Sequence, residues 1–190
     1  MKHDMPAIIF AGGKSSRMGK DKALLPFANC DTLSEFQYNR LSSIFDKIYI
    51  SAKENKFDFN PTVITDLYEE SSPLVGIISL FETLKEDEVF ILSVDAPFVN
   101  EDIIIKLLDH KEGVDAVIAK STSGIQPLCG VYKRSILPLA QKHLREGNHR
   151  LNDLLKAVHT QFISFEDDTP FTNLNHPHEY EHAMERIISF

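Results

Sequence analysis

The chain alternates short apolar runs with stretches whose apolar positions recur at helical spacing. Ala7, Ile8, Ile9 and Phe10 form one run, and Val89 to Val94 form another with a single hydroxyl in it. Runs with so little polar alternation mark strands covered on both faces. Further strands are predicted at Lys47–Ser51, Thr62–Thr65, Ala116–Ala119, Leu128–Tyr132 and Gln161–Phe165. Leu33, Phe36, Leu41 and Ile44 mark a helix, and Ile77–Leu84, Ser135–Arg145 and Leu151–Val158 read as others. Asn100 is placed to cap a helix whose first turn carries Glu101 and Asp102, where negative charge suits the helix dipole. A last helix starts with Pro177 at its first position and runs to the C-terminus. Alternating strands and helices predict one α/β domain over residues 1–190. Its sheet is Rossmann-like and mainly parallel, with helices on both faces. Ligands of such sheets bind beyond the carboxyl ends of the strands. That rule gathers the loop after Phe10, the strand-end Ser51, Asp66 and Asp95 around one crevice.

Charge sharpens the reading of one loop. The chain has 28 acidic and 20 basic residues, a formal net charge of -8. Against that background, residues 11–22 hold Gly12, Gly13 and Gly19 together with Lys14, Arg17, Lys20 and Lys22. Glycine lets backbone N–H groups approach a ligand, and a row of them makes an anion-binding nest. The cations add charge-assisted donors for phosphate, with Arg17 and Lys22 spaced to reach different phosphates. The spacing is neither GxxxxGK[ST] nor GxGxxG. An acidic chain is a poor binder of duplex nucleic acid over a broad surface. Cys30 and Cys129 are isolated, which argues against a zinc or disulfide framework. No apolar run approaches a membrane span, and the N-terminus lacks a signal-peptide core. These features predict a cytoplasmic protein with no membrane or nucleic-acid partner.

Asp95 follows the buried run at 89–94. A carboxylate at a strand end beside a phosphate loop is a candidate Mg²⁺ ligand, because Mg²⁺ is held by one or two carboxylates plus substrate phosphates. The plainer reading is a turn aspartate that satisfies backbone N–H groups. Asp66 also ends a strand, where a turn role is the lesser alternative. His178-Glu179-Tyr180-Glu181-His182 matches H-E-x-x-H formally. An amphipathic terminal helix with Tyr180, Met184, Ile187 and Ile188 on its apolar face explains it more simply. No nucleophile–base arrangement emerges, and phosphoryl-type transfer needs none.

Residues 10–25, Phe-Ala-Gly-Gly-Lys-Ser-Ser-Arg-Met-Gly-Lys-Asp-Lys-Ala-Leu-Leu, closely resemble the signature of the molybdenum cofactor guanylyltransferase family of nucleotidyltransferases. The resemblance covers essentially the whole chain. It implies a fold of the nucleotide-diphospho-sugar transferase type. It also implies transfer of GMP from GTP to molybdopterin-bound molybdenum cofactor, with Mg²⁺ and release of pyrophosphate. Arg17, Lys22 and Asp95 are then the catalytic residues, and Asp95 the metal ligand. Phe10, Ala11, Gly12, Gly13, Lys22, Ser51, Asp66, Pro73, Leu74 and Asp95 would hold the nucleotide. Ser72-Pro73-Leu74-Val75-Gly76 is similar to the Gly-Pro-Leu-Ala-Gly segment beside the base, with Ser72 and Val75 as departures. Ser51 departs from the asparagine usual at that strand end. Asn173 and Asn175, in Asn-Leu-Asn-His-Pro, match the segment facing the pterin, and Arg150 aligns loosely with a family arginine. Transient contacts with cofactor-synthesis and acceptor proteins are implied as well. The alternatives are the same chemistry with CTP or a sugar-phosphate acceptor, and a nucleotide-binding module without catalysis.

Overall fold

The computed structural model describes residues 2–12 and 21–188. Its strands are β1 (Ala7–Phe10), β2 (Ile48–Ala52), β3 (Thr62–Thr65), β4 (Glu88–Ser93), β5 (Ala116–Ser121), β6 (Gly124–Lys133) and β7 (Thr160–Ser164). They form one sheet in the order β3-β2-β1-β4-β6-β5-β7. The ladders β1–β2, β2–β3, β1–β4 and β5–β7 are parallel, whereas β6 is antiparallel to both β4 and β5. The helices are α1 (Leu33–Leu41), α2 (Pro73–Thr83), α3 (Glu101–Leu108), α4 (Leu137–Arg145), α5 (Leu151–Ala157) and α6 (Pro177–Ile188).

The apolar runs lack polar alternation because both sheet faces are covered. Ala7 and Ile9 of β1, Phe90 and Leu92 of β4, and Val117 and Ala119 of β5 face one core, with α1, α3 and α6. Ile8 and Phe10, Val89 and Ile91, and Ala116 and Ile118 face the other, with α2, α4 and α5. Alternate residues of one strand thus enter opposite cores, as the two-residue period of a strand requires.

The first helix ends at Leu41, short of Ile44, β5 runs two residues past Ala119, and several ends shift by one residue; three further departures have local reasons. α2 begins at Pro73 rather than Ile77, because Ser72 caps it: its Oγ accepts from Val75 N at 3.3 Å, and Pro73 fills the first helical position. The predicted Ser135–Arg145 helix is a short 3₁₀ turn at Arg134–Ile136 followed by α4. β6 starts four residues before the predicted Leu128. Its ladder with β5 passes from Ile118↔Gly130 to Ala119↔Gln126, so residues 127–129 bulge out. Pro127, which has no N–H to donate, sits in that bulge. Among the described residues no helix is long and apolar enough to cross a membrane.

Candidate functional site

The chain leaves β1 towards β2 on one side and returns from β3 to β4 on the other. The order therefore reverses between β1 and β4, and the crevice at such a switch point takes ligands. Phe10 is level with Ser51 of β2 and Ser93 of β4, so three strand ends meet at one height. Gly12 and Asp95 follow directly on two of them.

At the crevice, Lys22 Nζ donates to Asp95 Oδ2 at 2.6 Å and to Asn175 Oδ1 at 3.0 Å. The Lys22 and Asp95 side chains are only 17% and 14% exposed, so the ion pair is shielded from bulk water more than a surface pair is. Ser93 Oγ donates to Asp95 Oδ1 at 2.6 Å, and the Asp95 carbonyl accepts from Leu174 N at 2.9 Å. The turn that carries Asp95 is held from beneath by α1. Gln37, fully buried, donates its amide to the carbonyls of Ser93 and Val94 at 3.3 and 3.2 Å. Arg40 reaches the carbonyl of Val99 and the Gln37 side chain. Burial pushes the Arg40 guanidinium down to about 10 and the neighbouring Cys129 thiol up to about 12.

Two bays lie at these strand ends, and Asp95 lines the second of them. The first, about 570 Å³, is lined by Phe10, Gly12, Ser51, Lys53, Asp66, Glu69, Ser72, Pro73 and Gly76 among others. A methyl group at Gly76 would come within 2.7 Å of Phe10 Cε1 and 3.2 Å of Ser51 Oγ, so the first turn of α2 lies directly on the ends of β1 and β2. Partial burial raises the Asp66 carboxyl above the ordinary aspartate range, and Lys53 opposes part of that. The second bay, about 430 Å³, is lined by Asp95, Gln126 and the bulged Pro127 to Cys129, His149, Arg150, Asn152, Phe171 and Asn173 among others. Pro73 and Leu128 line both, so the bays share a wall.

Most of the expected residues converge here. Phe10, Gly12, Ser51, Asp66 and Pro73 surround the first bay, Asn173 the second, while Asp95, Lys22 and Asn175 form the centre. Ala11 is buried and donates its N–H to the Ser51 carbonyl at 2.9 Å. The Leu74 side chain is fully buried in the core under α2. Gly13, Lys14, Arg17 and Lys20 lie outside the described residues. Lys53, Glu69, Gln126 and His149 line the bays without any local motif to mark them. Only the strand-end rule could have found Lys53, which follows Ala52 at the end of β2.

Glu179 Oε2 accepts from the backbone N–H groups of Asn175 and His176 at 2.6 and 2.8 Å. The acid of the H-E-x-x-H string therefore closes the start of α6, as in a capping box. Among the described residues no group of three or more His, Cys, Asp or Glu side chains is placed to hold a metal ion.

A switch-point crevice with a partly buried carboxylate–ammonium pair and two adjoining bays fits an α/β protein of the nucleotidyltransferase class. A family model described as the MobA-like NTP transferase domain matches residues 7–162. Molybdenum cofactor guanylyltransferase of Campylobacter jejuni strain RM1221 is 37% identical over 188 residues, covering 97% of this chain and 98% of that one. The protein of the same name from Helicobacter pylori strain J99 is 34% identical over 189 residues, covering 96% and 90%. The fold is shared with molybdopterin-guanine dinucleotide biosynthesis protein A from Archaeoglobus fulgidus, at a TM-score of 0.83 and 19% identity over 98% of this chain and 100% of that one. The chain belongs to the molybdenum cofactor guanylyltransferase family, within the MobA-like NTP transferases.

Proposed function

We propose that this protein transfers GMP from GTP to the terminal phosphate of molybdopterin-bound molybdenum cofactor and releases pyrophosphate. The observation that carries the reading is that Asp95, paired with Lys22, lines the second bay, which shares the Pro73–Leu128 wall with the first. In this reading the guanosine lies in the bay of Ser51, Asp66 and Pro73, with its triphosphate against the Gly12 loop. The pterin lies in the bay of Asn173, with Asn175 holding Lys22 beside it. An oxygen of the pterin phosphate attacks the α-phosphorus of GTP, and the bond to the bridging α–β oxygen breaks. Pyrophosphate takes the electron pair. Lys22 supplies charge next to the phosphates as it builds. Arg17 belongs to the same set by its place in the loop.

The Asp95 carboxylate, now engaging an ammonium, also suits a hard, oxygen-seeking cation. Asp95 would hold Mg²⁺, which when bound neutralises phosphate charge and orients the α-phosphate. The reading carries with it GTP binding and a cytoplasmic place beside cofactor-synthesis and acceptor proteins.

Radiolabelled GTP, Mg²⁺ and cofactor-loaded molybdopterin test it with purified protein. Label enters the cofactor with GTP and not with CTP, and Asp95→Ala lowers the rate at least about 10²-fold. No transfer from GTP, or equal transfer from CTP, overturns the assignment.

A further inference from the structure

Ser72 stands where the segment's family resemblance has glycine, and its hydroxyl makes a contact that glycine cannot. Ser72 Oγ lies 2.9 Å from Nδ1 of His149, 77 residues further on. The same oxygen accepts the N–H of Val75 as the cap of α2. Pairing all three groups sends the Ser72 hydroxyl proton to Nδ1, which leaves the proton of the neutral ring on Nε2. If the ring is an imidazolium, the Ser72 bond reverses and Nε2 still donates. One ring nitrogen is thus committed to the α2 cap, and the other is a donor on a ring that lines the second bay with Asp95 and Asn173.

The loop that carries His149 is built to hold it there. Gly147 turns the chain at φ +71, a conformation that glycine accepts without strain. Asn148 then clamps the next turn: its Nδ2 donates to Asp153 Oδ2 and its Oδ1 accepts from Arg150 N, both at 3.1 Å. His149 and Arg150 are thereby presented side by side on the bay wall. A guanidinium beside an imidazole donor is an anion pair, and the bay also contains Asp95, which repels an unaccompanied anion.

We propose that His149, fixed through Nδ1 by Ser72, donates from Nε2 to the phosphate monoester of the second substrate, with Arg150 as its cationic neighbour. Ser72 is a positioning residue in this arrangement. It ties the helix cap beside the nucleotide bay to the ligand of the acceptor bay. The proposal rests on the transferase reading above and names one of the groups that grip its acceptor.

The test measures equilibrium binding of phosphorylated and dephosphorylated pterin to the full chain, monitored by pterin fluorescence in the presence of a GTP analogue whose α–β bridge is a methylene and cannot be cleaved. The wild-type protein prefers the phosphorylated form. His149→Phe keeps the ring and removes the donor, so it cuts that preference about tenfold. His149→Gln carries an amide donor near the Nε2 position and retains most of it. Ser72→Gly raises the KM for the pterin by several-fold with kcat within about twofold, and Ser72→Thr restores the wild-type value. The assignment fails if His149→Phe keeps the wild-type preference, or if Phe and Gln lose it alike. The positioning role fails if Ser72→Gly leaves the KM unchanged. A wild-type chain that binds phosphorylated pterin while the His149 variants are indistinguishable from it overturns this inference alone. A wild-type chain that binds no phosphorylated pterin overturns the functional reading and this assignment with it.

Discussion

Lys22 joins three distant parts of the sequence, because one ammonium meets the Asp95 carboxylate and the Asn175 amide oxygen. Replacing it with Met keeps the stem and removes the charge. Lys22→Met is expected to lower kcat about 10²–10³-fold, the scale seen when one preorganised donor at a developing charge is lost. A steady-state assay with circular dichroism as the folding control checks this. Asp66 gives a prediction of a different sign. Its carboxyl is raised by burial, so ionising it costs the folded state more than the unfolded one. The native state is therefore relatively favoured below the ordinary aspartate range, and that advantage is lost as pH rises through the raised value. Asp66→Asn is expected to unfold at higher urea than wild type at pH 7, with the difference vanishing as pH falls below the ordinary range. Urea titrations at several pH values measure it. Asp95 and Asp66 were legible in the sequence because an acid after an apolar run stands out locally. His149 was not, since its meaning comes from Ser72, 77 residues away. Leu74 belongs to a legible segment, yet helical phase turns its side chain into the core.

The elements were legible wherever burial erased polar alternation, as in β1 and β4, whose residues enter cores on both sides. β6 was read short because Gln126 and Pro127 interrupt its apolar run, and they do so where its pairing with β5 breaks. Its antiparallel direction has no apolar signature of its own. It follows from the tight link after Ser121, with Gly124 at φ +135. Gly130 marks the near end of the bulge for a steric reason. A Cβ there would lie 2.1 Å from the Val117 carbonyl oxygen and 3.0 Å from Ile118 Cα, and backbone cannot swing aside as a side chain can. Gly130→Ala is expected to destabilise the fold towards the upper end of the roughly 1–3 kcal/mol typical of overpacking. Denaturant midpoints at constant m-value would report it. Because the displaced strand also forms the wall from Gln126 to Cys129, the surviving folded fraction should bind the second substrate more weakly than GTP loss alone explains.

At the scale of the molecule, two cores sandwich one sheet, and the site lies where that sheet changes winding direction. A nucleotide that binds only the folded form stabilises the whole by mass action. GTP at about 100 times its Kd is expected to add about 2.7 kcal/mol, with CTP adding much less at the same concentration. Thermal unfolding in parallel with both nucleotides measures the difference. The Lys22–Asn175 contact has a further consequence, for synthesis on the ribosome. It spans 153 residues, and Leu174 N also closes onto the Asp95 carbonyl. Chains emerge N-terminus first, and the glycine loop, β1 and the Asp95 turn are translated long before residues 173–175. A nascent chain can therefore contain the whole lining of the first bay while the Lys22–Asp95–Asn175 cluster is still open. Translation of the last segment supplies the stitch, so a growing chain cannot complete that cluster until almost all of it has been made.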